Sequence, residues 1–321
     1  MKILVFGLGA LGTVYSCLLK KAGHQVSGID RAAVTSAIKE QGVRITGIWG
    51  EHHAHLDDTA EAWSQLSDID FDLIIITVKA YQTAAVCSQI KALIKNNTFV
   101  FLAQNGYGNY ERAVDFIPPE RLILGRVIFG AVAISPGLSE VTVIADDVLL
   151  GHPHRLIEAY ILRQWADIFS QAGVPTRYSP DIMEYVWAKI IYNSALNPLG
   201  AILEVPYGRL AEMEWSRELM DGIIEEIFAV LKAHGQPTPF KDAGAYREVF
   251  YGQLVPSTAS HRASMLQDIQ NGRRTEIDAL NGAIVELGQH LRVPTPVNRV
   301  ITCLLKCKES LGKGGFDCSP P

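Results

Sequence analysis

The chain has 321 residues, of which 48% are hydrophobic and 20% are charged, and its net charge is −5 at pH 7. This length allows two domains of about 100–200 residues each, and the composition is that of a globular protein with a large hydrophobic core. The acidic balance excludes a basic face for nucleic acid or for an anionic membrane. The five cysteines have neither the paired spacing of a disulfide framework nor that of a zinc site. We therefore expect a cytoplasmic protein without a metal centre.

The chain begins with the pattern of a dinucleotide-binding βαβ unit. An apolar run at residues 3–6 leads into a glycine turn, a helix-like segment follows, and a second apolar run ends at Asp30-Arg31. Asp30 comes about 20 residues after the turn, which is the spacing of the acid that contacts a ribose. In such a unit the cofactor phosphates lie at the N-terminus of the helix. We predict that the cofactor is bound by the six turn residues, Gly7, Leu8, Gly9, Ala10, Leu11 and Gly12.

Two other interpretations of this segment fit its residues less well. A glycine turn without a ligand would not need the strand, helix and acid that surround it here. The uncharged stretch at residues 3–19 approaches the length of a membrane span, about 20 residues, but its glycines argue against a span. No small-residue cleavage pattern precedes a polar mature start. We predict neither a signal peptide nor a membrane anchor.

Helix-like and strand-like segments alternate after Arg31. The helical patterns cover residues 32–40 and 83–95. The strand patterns cover residues 43–49, 71–78, 98–103, 121–129, 141–150 and 173–178. Because strands that alternate with helices form a parallel sheet covered on both faces, we predict an α/β Rossmann-type N-terminal domain at residues 1–178.

The ligand of such a sheet lies beyond the carboxyl ends of the strands. Several residues of the first domain follow directly after predicted strands. These candidate cofactor contacts are Asp30, Arg31, Lys79, Gln82, Asn105, Gly106 and Ala131.

The second half of the chain, residues 179–321, has helical spacing and few β-branched runs. Its helical segments are residues 181–196, 209–234, 256–270, 275–291 and 296–311. We predict a mostly α-helical C-terminal domain with a loose tail at residues 312–321. Because a helical second domain often supplies a dimer interface, a homodimer is the candidate assembly.

Polar residues form one stripe on the first of these helices. Lys189, Asn193 and Asn197 follow one another at four-residue intervals, so they share a helix face. A solvated face is one interpretation, since surface helices usually carry such a stripe. However, asparagine is a poor residue for a helix interior, and a lysine beside Trp187 in an apolar helix is a candidate for partial burial. Burial would make such a lysine a usable proton donor near neutral pH.

The segment from Ser264 to Gly282 is a second candidate site. Thr275 is a good helix N-cap, and Glu276 and Asp278 suit the first turn of a helix because of the helix dipole. This explanation accounts for both acids without a ligand, and Ser264 could be a surface hydroxyl. The residues alone leave both interpretations open.

Taken together, the motifs of the chain resemble those of ketopantoate reductases (2-dehydropantoate 2-reductases) nearly from end to end. In the first half they are GLGALG at residues 7–12, VKAYQ at 78–82 and QNG at 104–106. In the second half they are WAKIIYNSALNPLGAI at residues 187–202, SMLQDIQNGRRTEIDALNG at 264–282 and VPTPVN at 293–298. Many dehydrogenases share the glycine motif, whereas the lysine-asparagine helix and the TEID segment are far more specific.

The resemblance implies reduction of the ketone of 2-dehydropantoate to (R)-pantoate, a step toward pantothenate and coenzyme A. Lys189 would be the general acid, and Glu276 would bridge cofactor and substrate near it. The substrate would be bound and oriented by Asn105, Asn193, Asn197 and Ser264. The cofactor would be bordered by Lys79, Gln82 and Ala131. A lysine ammonium suits this chemistry because it can stabilise and then protonate the oxyanion that hydride attack creates.

Two positions differ from the family pattern. Family members often have an asparagine in the loop after the catalytic helix, where this chain has Tyr207. Arg31 falls where the family uses an arginine for the 2′-phosphate of NADP, but Asp30 favours the free 2′-hydroxyl of NAD. We expect NADP(H) because Arg31 is present, with NAD(H) as the alternative. The alternative functions are an NAD-dependent dehydrogenase of another 2-oxo or 2-hydroxy acid and a non-catalytic NAD(P)-sensing protein.

Overall fold

A computed structural model describes residues 1–313 of the protein. Its contacts divide the chain into two compact units, Met1–Ile182 and Met183–Pro321. Residues 312–313 belong to the last helix, and the rest of the tail predicted for residues 312–321 lies outside the described residues. Within residues 1–313, no helix combines the length and the hydropathy that a membrane crossing requires.

The first unit is built from strands and helices that alternate along much of the chain. Its strands are β1 (Lys2–Phe6), β2 (Gln25–Ile29), β3 (Val43–Gly47), β4 (His52–Ala54), β5 (Asp58–Ala60), β6 (Leu73–Ile76), β7 (Phe99–Leu102), β8 (Leu122–Arg126), β9 (Phe129–Ser135), β10 (Leu138–Ile144), β11 (Val148–Gly151) and β12 (Thr176–Tyr178). Its α-helices are α1 (Ala10–Lys21), α2 (Ala32–Gln41), α3 (Thr83–Ile90), α4 (Asn109–Ala113) and α5 (Ala159–Gln171).

An eight-stranded sheet forms the centre of this unit, in the order β12-β11-β8-β7-β6-β1-β2-β5. Its neighbouring strands run parallel except for the antiparallel pair β8 and β11. All four residues of β6 are fully buried, which explains why the sequence of this strand is a continuous apolar run. The predicted Rossmann-type domain with a parallel sheet is confirmed.

A second sheet, in the order β4-β3-β10-β9, is not anticipated by the sequence pattern. Residues 121–129 and 141–150, each predicted as one strand, are divided between the two sheets. Arg126 lies at the point of division. Its buried guanidinium donates to the Asp146 carboxylate at 2.9 Å and to the Asp147 carbonyl at 3.2 Å, which fixes the turn between β10 and β11.

The second unit is mostly helical, as predicted. Its helices, the first of which begins at the unit boundary, are α6 (Ile182–Leu203), α7 (Tyr207–Glu212), α8 (Glu214–His234), α9 (Ala243–Val249), α10 (Val255–Ser257), α11 (Ser264–Gln270), α12 (Asn281–Leu291) and α13 (Pro296–Lys313). A π-helical turn at Phe250–Leu254 joins α9 to α10. The single helix predicted at residues 256–270 is wrong, because α10 ends at Ser257 and α11 begins only at Ser264.

The helix predicted to begin at Thr275 begins instead at Asn281. Residues Ile277–Ala279 form a separate 3₁₀ turn, and Leu280 (φ −112°, ψ −105°) interrupts the helical backbone. The explanation of Glu276 and Asp278 as first-turn acids of a long helix is therefore wrong. Asp278 instead forms ion pairs with Arg274 at 2.7 Å and Lys306 at 2.5 Å.

The glycine turn after β1 contains glycines with different requirements. Gly7 has φ +100°, and a Cβ there would lie 2.8 Å from Val78 Cγ1, so no larger residue fits. A Cβ on Gly12 would lie 1.8 Å from the Gly7 carbonyl oxygen, because α1 passes directly over the turn. A Cβ on Gly9 would meet no heavy atom within 4 Å. The packing of the protein explains Gly7 and Gly12, whereas the space at Gly9 suits a ligand that approaches the backbone.

We expect Gly9→Ala to separate folding from cofactor binding. The variant should change the free energy of unfolding by no more than about 1 kcal/mol, the usual scale for a helix N-cap residue. Its affinity for the dinucleotide should fall at least about tenfold, since a methyl group would occupy the space of the pyrophosphate. Urea unfolding and calorimetric titration with NADH and NADPH measure the two quantities.

Two matched variants control this experiment. Gly12→Ala should destabilise the fold by at least about 2 kcal/mol, because the clash is with main-chain atoms. Gly252→Ala, at a glycine of the second unit that is equally open, should leave cofactor affinity unchanged. Wild-type affinity in a folded Gly9→Ala variant would contradict the assignment of this space to the cofactor.

Candidate functional site

Four neighbouring strands bring the predicted cofactor contacts to one edge of the main sheet. Strands β7, β6, β1 and β2 are adjacent and parallel, so their carboxyl ends lie together. The glycine turn follows β1 and Asp30-Arg31 follow β2. Lys79 precedes a 3₁₀ turn that ends at Gln82, and Asn105 and Gly106 follow β7. These loops are therefore grouped as the sequence predicts, at the edge where such sheets bind ligands.

Ala131 differs from the other candidates. It was predicted to follow the end of a strand, but it lies within β9 of the second sheet, where it pairs with Val141. The reason for selecting Ala131 is therefore wrong, because the strand predicted at residues 121–129 ends at Arg126.

The N-terminus of α1 fits the phosphates of a dinucleotide. Gly9 is its N-cap, and among the described residues there is neither a side-chain cap nor an acidic residue in the first turn. The positive end of the helix dipole is therefore available to an anion. Together with the open space at Gly9, this arrangement can hold a pyrophosphate.

Asp30 is fixed at the tip of β2 by the main chain. One carboxylate oxygen accepts the Leu8 N–H at 2.6 Å, and the other accepts the Arg31 N–H at 2.7 Å. The side chain of Asp30 is 15% exposed, whereas that of Arg31 is 83% exposed. Arg31 Nε lies 3.6 Å from Asp30 Oδ1. Charge-assisted bonds of this kind are strong, so the carboxylate supports the glycine turn and its negative charge stays beside that turn.

Two side chains brace the loops at this edge, Gln104 of the predicted QNG motif and Asn109, which is not among the predicted contacts. Gln104 donates through Nε2 to the Val78 carbonyl at 2.9 Å and to Thr83 Oγ1 at 2.8 Å. Asn109 donates through Nδ2 to the carbonyls of Asn105 at 3.0 Å and Gly106 at 3.2 Å. The polar spacing of the QNGYGN segment is the sequence signal for this brace.

In the second unit, α6 carries the predicted polar stripe. Asn193 and Asn197 are 9% and 7% exposed, and Lys189 is half-buried. The solvated-face interpretation is therefore wrong for the two asparagines. Buried amides need hydrogen-bond partners, and Asn197 Oδ1 accepts hydrogen bonds from Tyr207 and Ser264.

Asn197 and Ser264 meet, as the resemblance implies. Ser264 Oγ donates to Asn197 Oδ1 at 3.4 Å, although Ser264 is itself exposed at the first position of α11. Glu276 lies directly before the 3₁₀ turn and is 8% exposed. Among residues 1–313, no group of three or more histidines, cysteines or acids is arranged to hold a metal ion.

A proline inside α6 explains two further motif residues. Pro198 has no N–H, so the Ser194 carbonyl lacks its helical donor. Asn281 supplies one from outside the helix, through Nδ2 at 3.1 Å, and the same Nδ2 donates to Asn298 Oδ1 at 3.0 Å. Asn298 Nδ2 donates in turn to Glu226 at 2.7 Å. The asparagines of the LNG and VPTPVN motifs therefore satisfy the carbonyl that Pro198 leaves without a donor in α6.

Comparisons with known proteins match most of the chain. The family model "Ketopantoate reductase PanE/ApbA" matches residues 3–153, and "Ketopantoate reductase PanE/ApbA C terminal" matches residues 181–309. The 2-dehydropantoate 2-reductase of Aquifex aeolicus is 45% identical over 311 residues, which cover 96% of this chain and 97% of that protein.

Solved structures are also similar over nearly the whole chain. A ternary structure of D-mandelate dehydrogenase with NADH and anilino(oxo)acetate has a TM-score of 0.86 at 28% identity, covering 98% of this chain and 100% of that one. A PanE/ApbA family ketopantoate reductase from Ralstonia eutropha has a TM-score of 0.85 at 29% identity, with the same coverage. The resemblance seen in the motifs is confirmed, and the chain belongs to the ketopantoate reductase family of NAD(P)-dependent oxidoreductases.

Proposed function

We propose that the protein reduces 2-dehydropantoate to (R)-pantoate, a step toward pantothenate and coenzyme A. The observation that carries this proposal is the stripe on α6, in which a half-buried lysine precedes two buried asparagines, one of them bonded to Ser264. The 45% identity to a 2-dehydropantoate 2-reductase supports the same substrate.

The residues of the second unit suit the reduction of a ketone. When bound, the nicotinamide supplies the hydride. Negative charge then develops on the ketone oxygen, where the Lys189 ammonium stabilises it and delivers the proton that completes the alcohol. Asn193, Asn197 and Ser264 offer hydrogen bonds to the carboxylate and hydroxyl of the substrate, and Asn105 of the first unit is assigned to the substrate on the resemblance of its QNG motif. Glu276 is assigned to the same site on the resemblance of its TEID motif.

We expect Lys189→Ala to lower kcat by at least about 100-fold, because it removes the proton donor. Cofactor affinity should change by less than about twofold, since the glycine turn belongs to the first unit. Steady-state kinetics and cofactor titration measure both quantities. Lys232→Ala, at an exposed lysine of α8, is the matched control and should have wild-type kcat. An unchanged kcat in Lys189→Ala would remove this residue from the acid role.

For the cofactor, the placement of Asp30 leads us to propose NADH in preference to the NADPH that Arg31 favours. Two main-chain N–H groups hold the Asp30 carboxylate at the tip of β2, so it cannot swing away from a 2′-phosphate without losing both bonds. An anionic phosphate beside a fixed carboxylate is repelled, whereas a ribose 2′-hydroxyl can donate to it. The bound NADH of D-mandelate dehydrogenase supports the same choice.

We expect Asp30→Asn to lower the ratio of kcat/KM for NADH over that for NADPH at least about tenfold, because it removes the charge and keeps an acceptor for the Leu8 N–H. Arg31→Ala is the matched variant, and it should reduce only the residual activity with NADPH. The ratio is measured with one oxo-acid substrate at saturation. A wild-type enzyme that prefers NADPH, or an unchanged ratio in Asp30→Asn, would contradict the role of Asp30.

A second candidate function is the oxidoreduction of another 2-oxo or 2-hydroxy acid by NAD(H). Two observations favour it. Tyr207 occupies the position where the family often has an asparagine, and D-mandelate dehydrogenase has the same fold over nearly its whole length. The site would act in the same way, with Lys189 protonating or deprotonating the oxygen, and only the side chain of the substrate would differ.

We further propose a cytoplasmic location and a homodimer. The free thiols of Cys17, Cys87, Cys303 and Cys307 are in keeping with a reducing compartment. Sedimentation of the purified protein tests the homodimer.

A further inference from the structure

Tyr207, the residue that departs from the family pattern, is tied to the substrate-binding stripe. It is the first residue of α7 and is 2% exposed. Its hydroxyl donates to Asn197 Oδ1 at 3.1 Å, and its main-chain N–H donates to the His261 carbonyl at 3.0 Å. The ring also packs edge-on against the rings of His261 and Tyr192, with centroids 5.2 Å and 6.1 Å away. The hydroxyl is therefore fixed in position by packing on several sides.

This hydroxyl decides which way the Asn197 amide faces. An asparagine side chain has an acceptor oxygen at one end and two N–H donors at the other. Burial raises the pKa of Tyr207 well above its ordinary value, so the hydroxyl keeps its proton and must find an acceptor. Within residues 1–313, Asn197 Oδ1 is the partner found for it. A rotated amide would leave this buried O–H without an acceptor, which is costly.

With Oδ1 held by Tyr207 and Ser264, Asn197 can offer a ligand only its Nδ2 hydrogens. Those hydrogens match the anionic and carbonyl oxygens of a 2-oxo acid. We propose that Tyr207 is a positioning residue, whose buried hydroxyl orients the Asn197 amide so that Nδ2 donates to the substrate. The inference rests on the proposed function in that Asn197 binds the substrate. Family members often have an asparagine at the position of Tyr207, and in this chain Tyr207 would act on the substrate indirectly, through Asn197.

The test is Tyr207→Phe in the full-length protein, which removes the hydroxyl and keeps the ring. KM for 2-dehydropantoate should rise about tenfold, whereas kcat should change less than about twofold because the proton donor and the hydride are untouched. Cofactor affinity should not change. Tyr192→Phe is the matched control, since its hydroxyl is hydrogen-bonded to Thr258 Oγ1 at 2.7 Å, and its KM should be that of the wild type.

A double-mutant cycle separates positioning from general damage. In an Asn197→Ala background, Tyr207→Phe should have no further effect on KM, because the amide that it orients is absent. The inference would be overturned if Tyr207→Phe left KM unchanged. It would also be overturned if the KM of the double variant rose by the product of the two single effects.

The same cycle distinguishes this inference from the proposed substrate. If the wild type does not reduce 2-dehydropantoate, the proposed function fails, and the cycle is run with the 2-oxo acid that the enzyme reduces fastest. If the wild type reduces 2-dehydropantoate and Tyr207→Phe equals it, only the positioning role fails. Failure of the wild type with every 2-oxo acid would overturn both.

Discussion

The second unit depends on one hydrogen bond that α6 cannot make for itself. Pro198 leaves the Ser194 carbonyl without a helical donor, in the middle of the helix that carries Lys189, Asn193 and Asn197. Asn281 of α12 donates to this carbonyl. Asn281 is hydrogen-bonded to Asn298 of α13, which is hydrogen-bonded to Glu226 of α8. A buried carbonyl without a donor costs about 1–3 kcal/mol, so this network stabilises α6 around Pro198. Asn281, Asn298 and Glu226 therefore support the helix that carries the polar stripe.

In the first unit, residues that support the glycine turn are also predicted to bind the cofactor. Gly7 and Gly12 are required by close contacts of the turn itself, and Gly9 alone leaves room that the protein does not use. Asp30 holds the turn through the Leu8 N–H and carries the charge that a 2′-phosphate would meet. The same carboxylate thus supports the turn and is the group to which we assign the proposed preference for NADH. Its neighbour Arg31 is exposed and has no comparable structural constraint.

Local patterns made much of this architecture predictable, and long-range pairing accounts for the rest. The glycine turn, the apolar run of β6 and the four-residue spacing from Lys189 to Asn197 are all periodic features of short segments. The second sheet is different, because β3 pairs with β10 across nearly a hundred positions of sequence. Asn281 and Ser194 are 87 residues apart, so no local pattern predicts their bond. Tyr207 was recognised only as a departure, since its partner on α6 depends on how α7 packs.

We propose that the nicotinamide supplies the hydride that reduces 2-dehydropantoate, while Lys189 donates the proton and oriented amides bind the substrate. The most direct measurement is the kcat/KM of the wild-type protein, with NADH, for 2-dehydropantoate against a panel of 2-oxo acids, including aryl ones such as benzoylformate. We predict that 2-dehydropantoate has the highest value and that its product is (R)-pantoate. A higher value for an unrelated 2-oxo acid, or cofactor binding without turnover of any of them, would contradict it.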